Sequence, residues 1–127
     1  MVSFDGFRYD FTNMADTPNF DGVAAEGVKA EALIPVFPSL TFPNHYSIAT
    51  GAYAGTHNLT GNSFYDKKFR EKYSLYKQET VRDAKFYKSE PIWVTAERQG
   101  VNAASFFWVG SEAPIKGYSP SIFKYYD

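Results

Sequence analysis

The stretch "VKAEALIPVFPSLTFPNHYSIATG", residues 28–51, decides the fold class. Its first half is apolar and β-forming, and Pro35 pushes its end towards an edge or irregular position. Thr41 then opens a helix, with Pro43 in the first turn and Gly51 as terminator. A strand that passes through a proline-stiffened turn into a helix is the repeating element of an α/β fold.

The neighbouring segments extend that pattern. "VSF" (2–4), closed by Asp5-Gly6, reads as the C-terminal end of a buried strand. "DTPNFDGVAAEG" (16–27) offers Asp16 or Thr17 as helix cap, Pro18 at the first helical position and Gly27 as stop, with Phe20, Val23 and Ala24 on one face. "SEPIWVTAERQG" (89–100) repeats the logic with Ser89 as cap and Glu90 and Pro91 in the first turn, and "VNAASFFW" (101–108) follows as a strand. Strands alternating with short helices predict a mainly parallel sheet with right-handed crossovers. Residues 62–88 break the rhythm with loops and polar hairpin-like pieces, and a boundary or insertion belongs there if anywhere.

Composition narrows the function classes. The chain of 127 residues is the size of one domain, or a piece of one. A formal charge of −1 gives no field to draw it to a nucleic-acid polymer or an anionic membrane. The charge is uneven: six acids lie within residues 1–31, and eight bases lie between Lys67 and Lys88, interrupted by Glu71, Glu79 and Asp83. That interruption makes the basic run read as a solvated surface. Without cysteine, thiolate metal sites, disulfides and cysteine nucleophiles are excluded. Aromatic residues, at 19%, exceed what one core normally holds, which points to aromatic surface kept for a ligand or for further protein. No signal peptide or membrane span is evident, and "MVSFDG" reads as a strand whose beginning is missing.

In a parallel sheet, ligands bind where strands end and helices begin. Asp5 ends the first predicted strand, and Thr41 follows the next at a helix N-terminus. A carboxylate beside a hydroxyl at that edge suits a cation and a phosphate, though Asp-Gly also simply makes turns and threonine simply caps helices.

Six ordered blocks go further: "SFDGFRYDF", "TPNFDGVAAEGV", "IPVFPSLTFPNHYSIATG", "GNSFYD", "EPIWVTAERQG" and "FFWVGSEA". Together they resemble the nucleotide pyrophosphatase/phosphodiesterase family, within the alkaline phosphatase superfamily. The resemblance implies the N-terminal portion of a three-layer α/β/α fold with a mainly parallel sheet, residues 1–127 being a fragment of a catalytic domain with a loop-rich insertion at about 62–88. It implies Thr41 as nucleophile and metal ligand, Asp5 as metal ligand, and Asn62 as the amide that holds a phosphate oxygen. It implies Phe42, Leu75, Trp108 and Tyr126 as the apolar slot for a nucleobase, and two Zn²⁺ ions in the complete domain, which make the threonine alkoxide accessible. The further aspartate and histidine ligands have no counterpart here, so the resemblance leaves the fragment inactive, needing the remainder of its domain. The substrate is a nucleotide or other small phosphodiester, and the compartment is periplasmic or extracellular. A non-catalytic nucleotide-binding module and a lipid or choline-type phosphodiesterase are the competing readings. A sulfatase is disfavoured by the missing cysteine and the missing Ser-x-Pro-x-Arg motif.

His45 reads as a packing residue and Asn44 as structural, and His57, in "GTHNLTGN" (55–62), as a loop-ordering residue. Asn58-Leu59-Thr60 fits a glycosylation sequon. Val109 stands where the family often has proline, and Glu112 where it often has aspartate; both departures bear on substrate preference.

Overall fold

The computed structural model describes residues 1–126. The chain divides into two compact units, Met1–Pro35 and Val36–Asp127.

In the first unit, helix α1 (Pro18–Glu26) starts where proline fits best, at a position whose N–H has no helical partner. Thr17 occupies the N-cap, but its hydroxyl donates to Thr12 O instead of capping, and Gly27 closes the helix through Val23 O at 2.9 Å. Phe4, Phe7, Phe11 and Phe20 meet with ring centroids 5.4–5.8 Å apart. No residue of α1 is buried. The two strands expected in this region do not form: Val2–Phe4 and residues 28–37 have no ladder partner among the described residues, and Val28, Leu33 and Ile34 are 79–99% exposed. The physical reason is that β-branched sequence only favours a pleated surface, whereas a strand exists by hydrogen bonding to a neighbour.

The second unit begins with helix α2 (Thr41–Thr50). Leu40 is extended at the N-cap, Pro43 needs no hydrogen-bond acceptor in the first turn, and Gly51, at φ 64°, returns its N–H to Ser47 O at 2.8 Å. Asn44 is structural, its Oδ1 accepting from Val36 N–H at 3.1 Å. A one-turn helix, α3 (Ala54–His57), leads to an antiparallel hairpin of β1 (Ser63–Asp66) and β2 (Glu71–Ser74), with Ser63 opposite Ser74. Asp66 closes its turn by accepting from Lys68 N–H and Phe69 N–H. Helices α4 (Gln78–Val81) and α5 (Ile92–Arg98) follow, and β3 (Ala104–Phe106) pairs in parallel with β4 (Ile122–Lys124).

Two boundaries differ from expectation. Helix α5 starts at Ile92, with Pro91 rather than Ser89 at the N-cap, because a residue before proline is steered away from helical backbone; Glu90 instead binds Thr95 and Arg98 from outside, each at 2.8 Å. The strand expected over 101–108 covers only Ala104–Phe106, because Phe107 turns to φ 57°.

The core of this unit is aromatic. Tyr46, Tyr73 and Phe86 are fully buried and Tyr87 nearly so, and Tyr73 sits 5.1–5.2 Å from Phe64 and Phe86. Buried phenols need acceptors, and each has one. Tyr46 donates to Ser89 O at 2.6 Å and Tyr87 to Val81 O at 2.7 Å, which leaves Tyr73 as donor in its 3.0 Å contact with the Tyr87 hydroxyl. Burial pushes all three phenols above the ordinary tyrosine range, so they stay neutral. Segment 62–88, expected as loops and polar pieces, thus supplies Tyr73, Phe86 and Tyr87 to the core.

Candidate functional site

Helix α2 presents Thr41 and Phe42 in its first turn, where backbone N–H groups lack helical acceptors. Leu40 has no side chain able to cap them. Asn62 does so from a distance: Phe42 N–H donates to Asn62 Oδ1 at 2.9 Å. A backbone N–H is only a donor, so this contact fixes the amide orientation and turns both Nδ2 hydrogens away from Phe42. The outcome is a neutral two-proton donor held beside the residue that follows Thr41.

The backbone of Asn62 ties in the next candidate, since Leu75 N–H donates to Asn62 O at 2.9 Å, one step beyond the Ser63–Ser74 pair. Leu75 is half-buried, and Phe42 packs its ring edge against Tyr73 at 6.3 Å. Thr41, Phe42, Asn62 and Leu75 are therefore brought together by the start of α2 and the open end of the hairpin.

Trp108 and Tyr126 come from elsewhere, just past the carboxyl ends of β3 and β4. Trp108 donates from Nε1 to His45 O at 3.2 Å, and its ring meets the His45 ring at 5.6 Å. His45 in turn places Nδ1 2.8 Å from Thr41 O, so Trp108 is anchored on α2 one turn from Thr41. Tyr126 is 70% exposed and contacts Glu112 and Phe107 rather than the Phe42 group. Asp5 lies in the first unit, exposed, in the turn that Gly6 completes at φ 66°.

His57 is fully buried. Its Nδ1 accepts from Leu59 N–H at 3.1 Å, so the neutral ring carries its proton on Nε2, 2.9 Å from Ser47 Oγ. Burial pulls its pKa below the usual imidazole value, against hydrogen bonds that raise it. It orders the 57–59 loop. The sequon residue Asn58 spends its side-chain nitrogen inside the fold, on Asp66 Oδ2 at 3.0 Å and Phe86 O at 3.4 Å. That bond is also the main reason the Asp66 pKa is lowered.

No group of three His, Cys, Asp or Glu able to hold a metal occurs among the described residues. Asp5 and Thr41 are two donors, and zinc sites use three or four protein ligands. The described residues do not amount to a zinc centre on their own.

Phe107 and Gly110 emerge only from the structure. Gly110, at φ 87°, lets its backbone lie where a Cβ would be 2.9 Å from Tyr46 Cε2 and 3.1 Å from Tyr87 Cε1. Glu112 is already marked in the sequence by its departure from the family pattern, and the structure adds its partners, Arg82 and Tyr126.

Comparison with known proteins decides the family. The sequence model described as type I phosphodiesterase / nucleotide pyrophosphatase matches residues 1–127. The chain belongs to this family. Venom phosphodiesterase of Naja atra is 41% identical over 129 residues, covering 100% of this chain and 15% of that protein. Human ectonucleotide pyrophosphatase/phosphodiesterase family member 1 is 40% identical over 129 residues, covering 100% of this chain and 14% of its own length. Murine ectonucleotide pyrophosphatase/phosphodiesterase 5, a solved structure, aligns with a TM-score of 0.92 and 32% identity over 98% of this chain and 34% of that one. The same mouse protein is also known as an inactive threonine-to-alanine variant in complex with AMP. The type I phosphodiesterase chain thus has the mixed α/β, alkaline-phosphatase-like fold of its relatives, with a small parallel sheet in β3 and β4, and spans a minor part of their length. None of its helices is long and apolar enough to cross a membrane, among the described residues.

Proposed function

We propose that residues 1–127 are the nucleophile-bearing, N-terminal part of a catalytic domain that hydrolyses phosphodiester or pyrophosphate bonds of nucleotides. In this reading Thr41 Oγ1 attacks phosphorus in line, and the bond to the leaving oxygen breaks as the new one forms. The nucleotidyl group stays on Thr41 until water removes it. Asn62 Nδ2 donates to a non-bridging phosphate oxygen, where developing charge makes a fixed donor most effective. Phe42 and Leu75 wall one side of the base slot, and Trp108 and Tyr126 contribute aromatic surface, which tolerates any base.

The observation that carries this reading is the Phe42 N–H···Asn62 Oδ1 bond, because it leaves the amide donors beside Thr41 rather than spent in the fold. The inactive threonine variant of the mouse relative, and its AMP ligand, support the same assignment. Two Zn²⁺ ions belong to the complete domain, with Asp5 and Thr41 as this chain's share of the ligands and the rest supplied by the remainder of the domain. The isolated chain is accordingly inactive, and the complete protein is exported.

A chromogenic nucleotide monophosphate ester tests the proposal on the complete domain. Thr41→Ala is expected to abolish turnover while AMP still binds; turnover that survives the substitution overturns it. For the isolated chain, the AMP bound by a threonine-to-alanine variant of the mouse relative, which lacks the hydroxyl, keeps a second reading in play, nucleotide binding without cleavage. That reading predicts AMP affinity indifferent to added zinc and to Thr41→Ala.

A further inference from the structure

We infer that Glu112 is a positioning residue for nucleobase recognition, acting through Tyr126. The inference rests on the reading of Tyr126 as a base-stacking side chain.

Glu112 is an acid whose side chain is only 7% exposed. Burial of a carboxylate is costly unless its oxygens are partnered. Both are, and by different groups: Oε2 accepts from Arg82 Nε at 2.9 Å, and Oε1 accepts from Tyr126 N–H at 2.9 Å. The second bond reaches a backbone group beyond the last β4 residue, Lys124, where the ladder no longer holds the chain. Arg82 holds the preceding residue as well, its guanidinium lying 4.0 Å from the centroid of the Tyr125 ring. The Glu112 carboxylate and the Arg82 guanidinium thus hold residues 125 and 126 together.

Phe107 also meets Tyr126, the two rings edge-to-face at 5.9 Å. Phe107 has φ 57°, a conformation that bulky side chains seldom adopt, and its N–H donates to Lys124 O at 3.3 Å. Such outliers persist where surrounding structure holds them, often at ligand sites. Tyr126 nevertheless stays 70% exposed as a residue. An aromatic face that is open to solvent while its backbone is fixed has lost its freedom before a ligand arrives, and this is what favours stacking of a planar base.

The measurement is calorimetric binding of AMP and of ribose 5-phosphate, which lacks the base, to the complete protein. Glu112→Ala and Tyr126→Ala are each expected to weaken AMP about tenfold, within the range for one base stack, and to leave ribose 5-phosphate unchanged. The double variant should bind AMP no more weakly than Tyr126→Ala alone. Glu112→Gln keeps an oxygen for Tyr126 N–H and should restore most of the affinity. If Glu112→Ala fails to fold, Glu112→Asp serves instead: it keeps the charge for Arg82 but falls one methylene short of Tyr126 N–H, and should weaken AMP alone. Equal losses for both ligands, full additivity in the double variant, or no AMP binding by the unmodified protein overturns the inference. Loss of Thr41-dependent turnover with these couplings intact would remove the proposed reaction and leave the positioning role standing.

Discussion

Phe42 N–H and Asn62 Oδ1 are 2.9 Å apart, so the first turn of the helix that carries Thr41 is capped by a side chain from the start of the hairpin. This one bond has a structural and a chemical side. The oxygen of the amide caps the helix; the nitrogen remains to donate.

The two sides separate by substitution. Asn62→Asp keeps an acceptor for Phe42 N–H at a helix N-terminus, where negative charge is tolerated, but has no donor. Its melting temperature should stay near that of the unmodified protein while kcat falls about 10²–10³-fold, the usual effect of losing one oxyanion donor. Asn62→Ala should lose the same rate and also about 1 kcal/mol of stability, as for a missing cap. Denaturation curves and steady-state kinetics on the complete domain read both. Equal kcat for Asn62→Asp and the unmodified protein would mean that the amide is only a cap.

Gly110 reports on the tyrosine core. Its φ of 87° and the 2.9 Å approach to Tyr46 Cε2 leave no place for a methyl group. Gly110→Ala should cost about 2–4 kcal/mol, from backbone strain and overpacking together. Urea unfolding followed by fluorescence measures it, and a change below 1 kcal/mol would contradict the packing described.

His57 sets a pH dependence of stability. Its pKa is lowered in the fold, so below the ordinary value of 6.5 the unfolded chain binds the proton first. Stability is therefore complete above 6.5 and falls as pH drops below it, because a protonated Nδ1 would confront Leu59 N–H, donor against donor. Asp66 and Glu97, also lowered, act in the same direction further down, losing their contributions below their ordinary values of 3.8 and 4.5. Unfolding free energy measured between pH 7 and pH 5 should decline in the unmodified protein and be flat in His57→Gln. A flat profile in both would contradict the buried, neutral histidine.

The helix that carries Thr41 was legible because local backbone chemistry marks its ends. Pro43 in the first turn and Gly51 past the end mark both ends of α2 in the local sequence, and α2 runs from Thr41 to Thr50 as read, while the cap on its first turn comes from Asn62, 20 residues from Phe42. Pro18 at the start of α1 was legible for the same reason, whereas Asp5, read as the end of a strand, lies in an exposed turn. The sheet was not. Val28, Leu33 and Ile34 have strand character in sequence but stand exposed, since pairing is a property of two segments and no periodicity names the second. Glu112 was visible only as an unusual residue; its clamp joins Arg82 to Tyr126, contacts that lie 30 and 14 residues away in sequence. The tyrosine core was missed within 62–88 because its polar neighbours mask an alternation that places Tyr73 inward and Lys72 outward.

The central claim is that Thr41 carries the nucleotidyl group, and it is tested most directly by trapping. The complete domain, mixed with a nucleotide diester and quenched in acid within milliseconds, is digested and its peptides are weighed. A nucleotide monophosphate adduct on Thr41, absent from Thr41→Ala, is the result predicted. Turnover without that adduct, or an adduct on another residue, would contradict it.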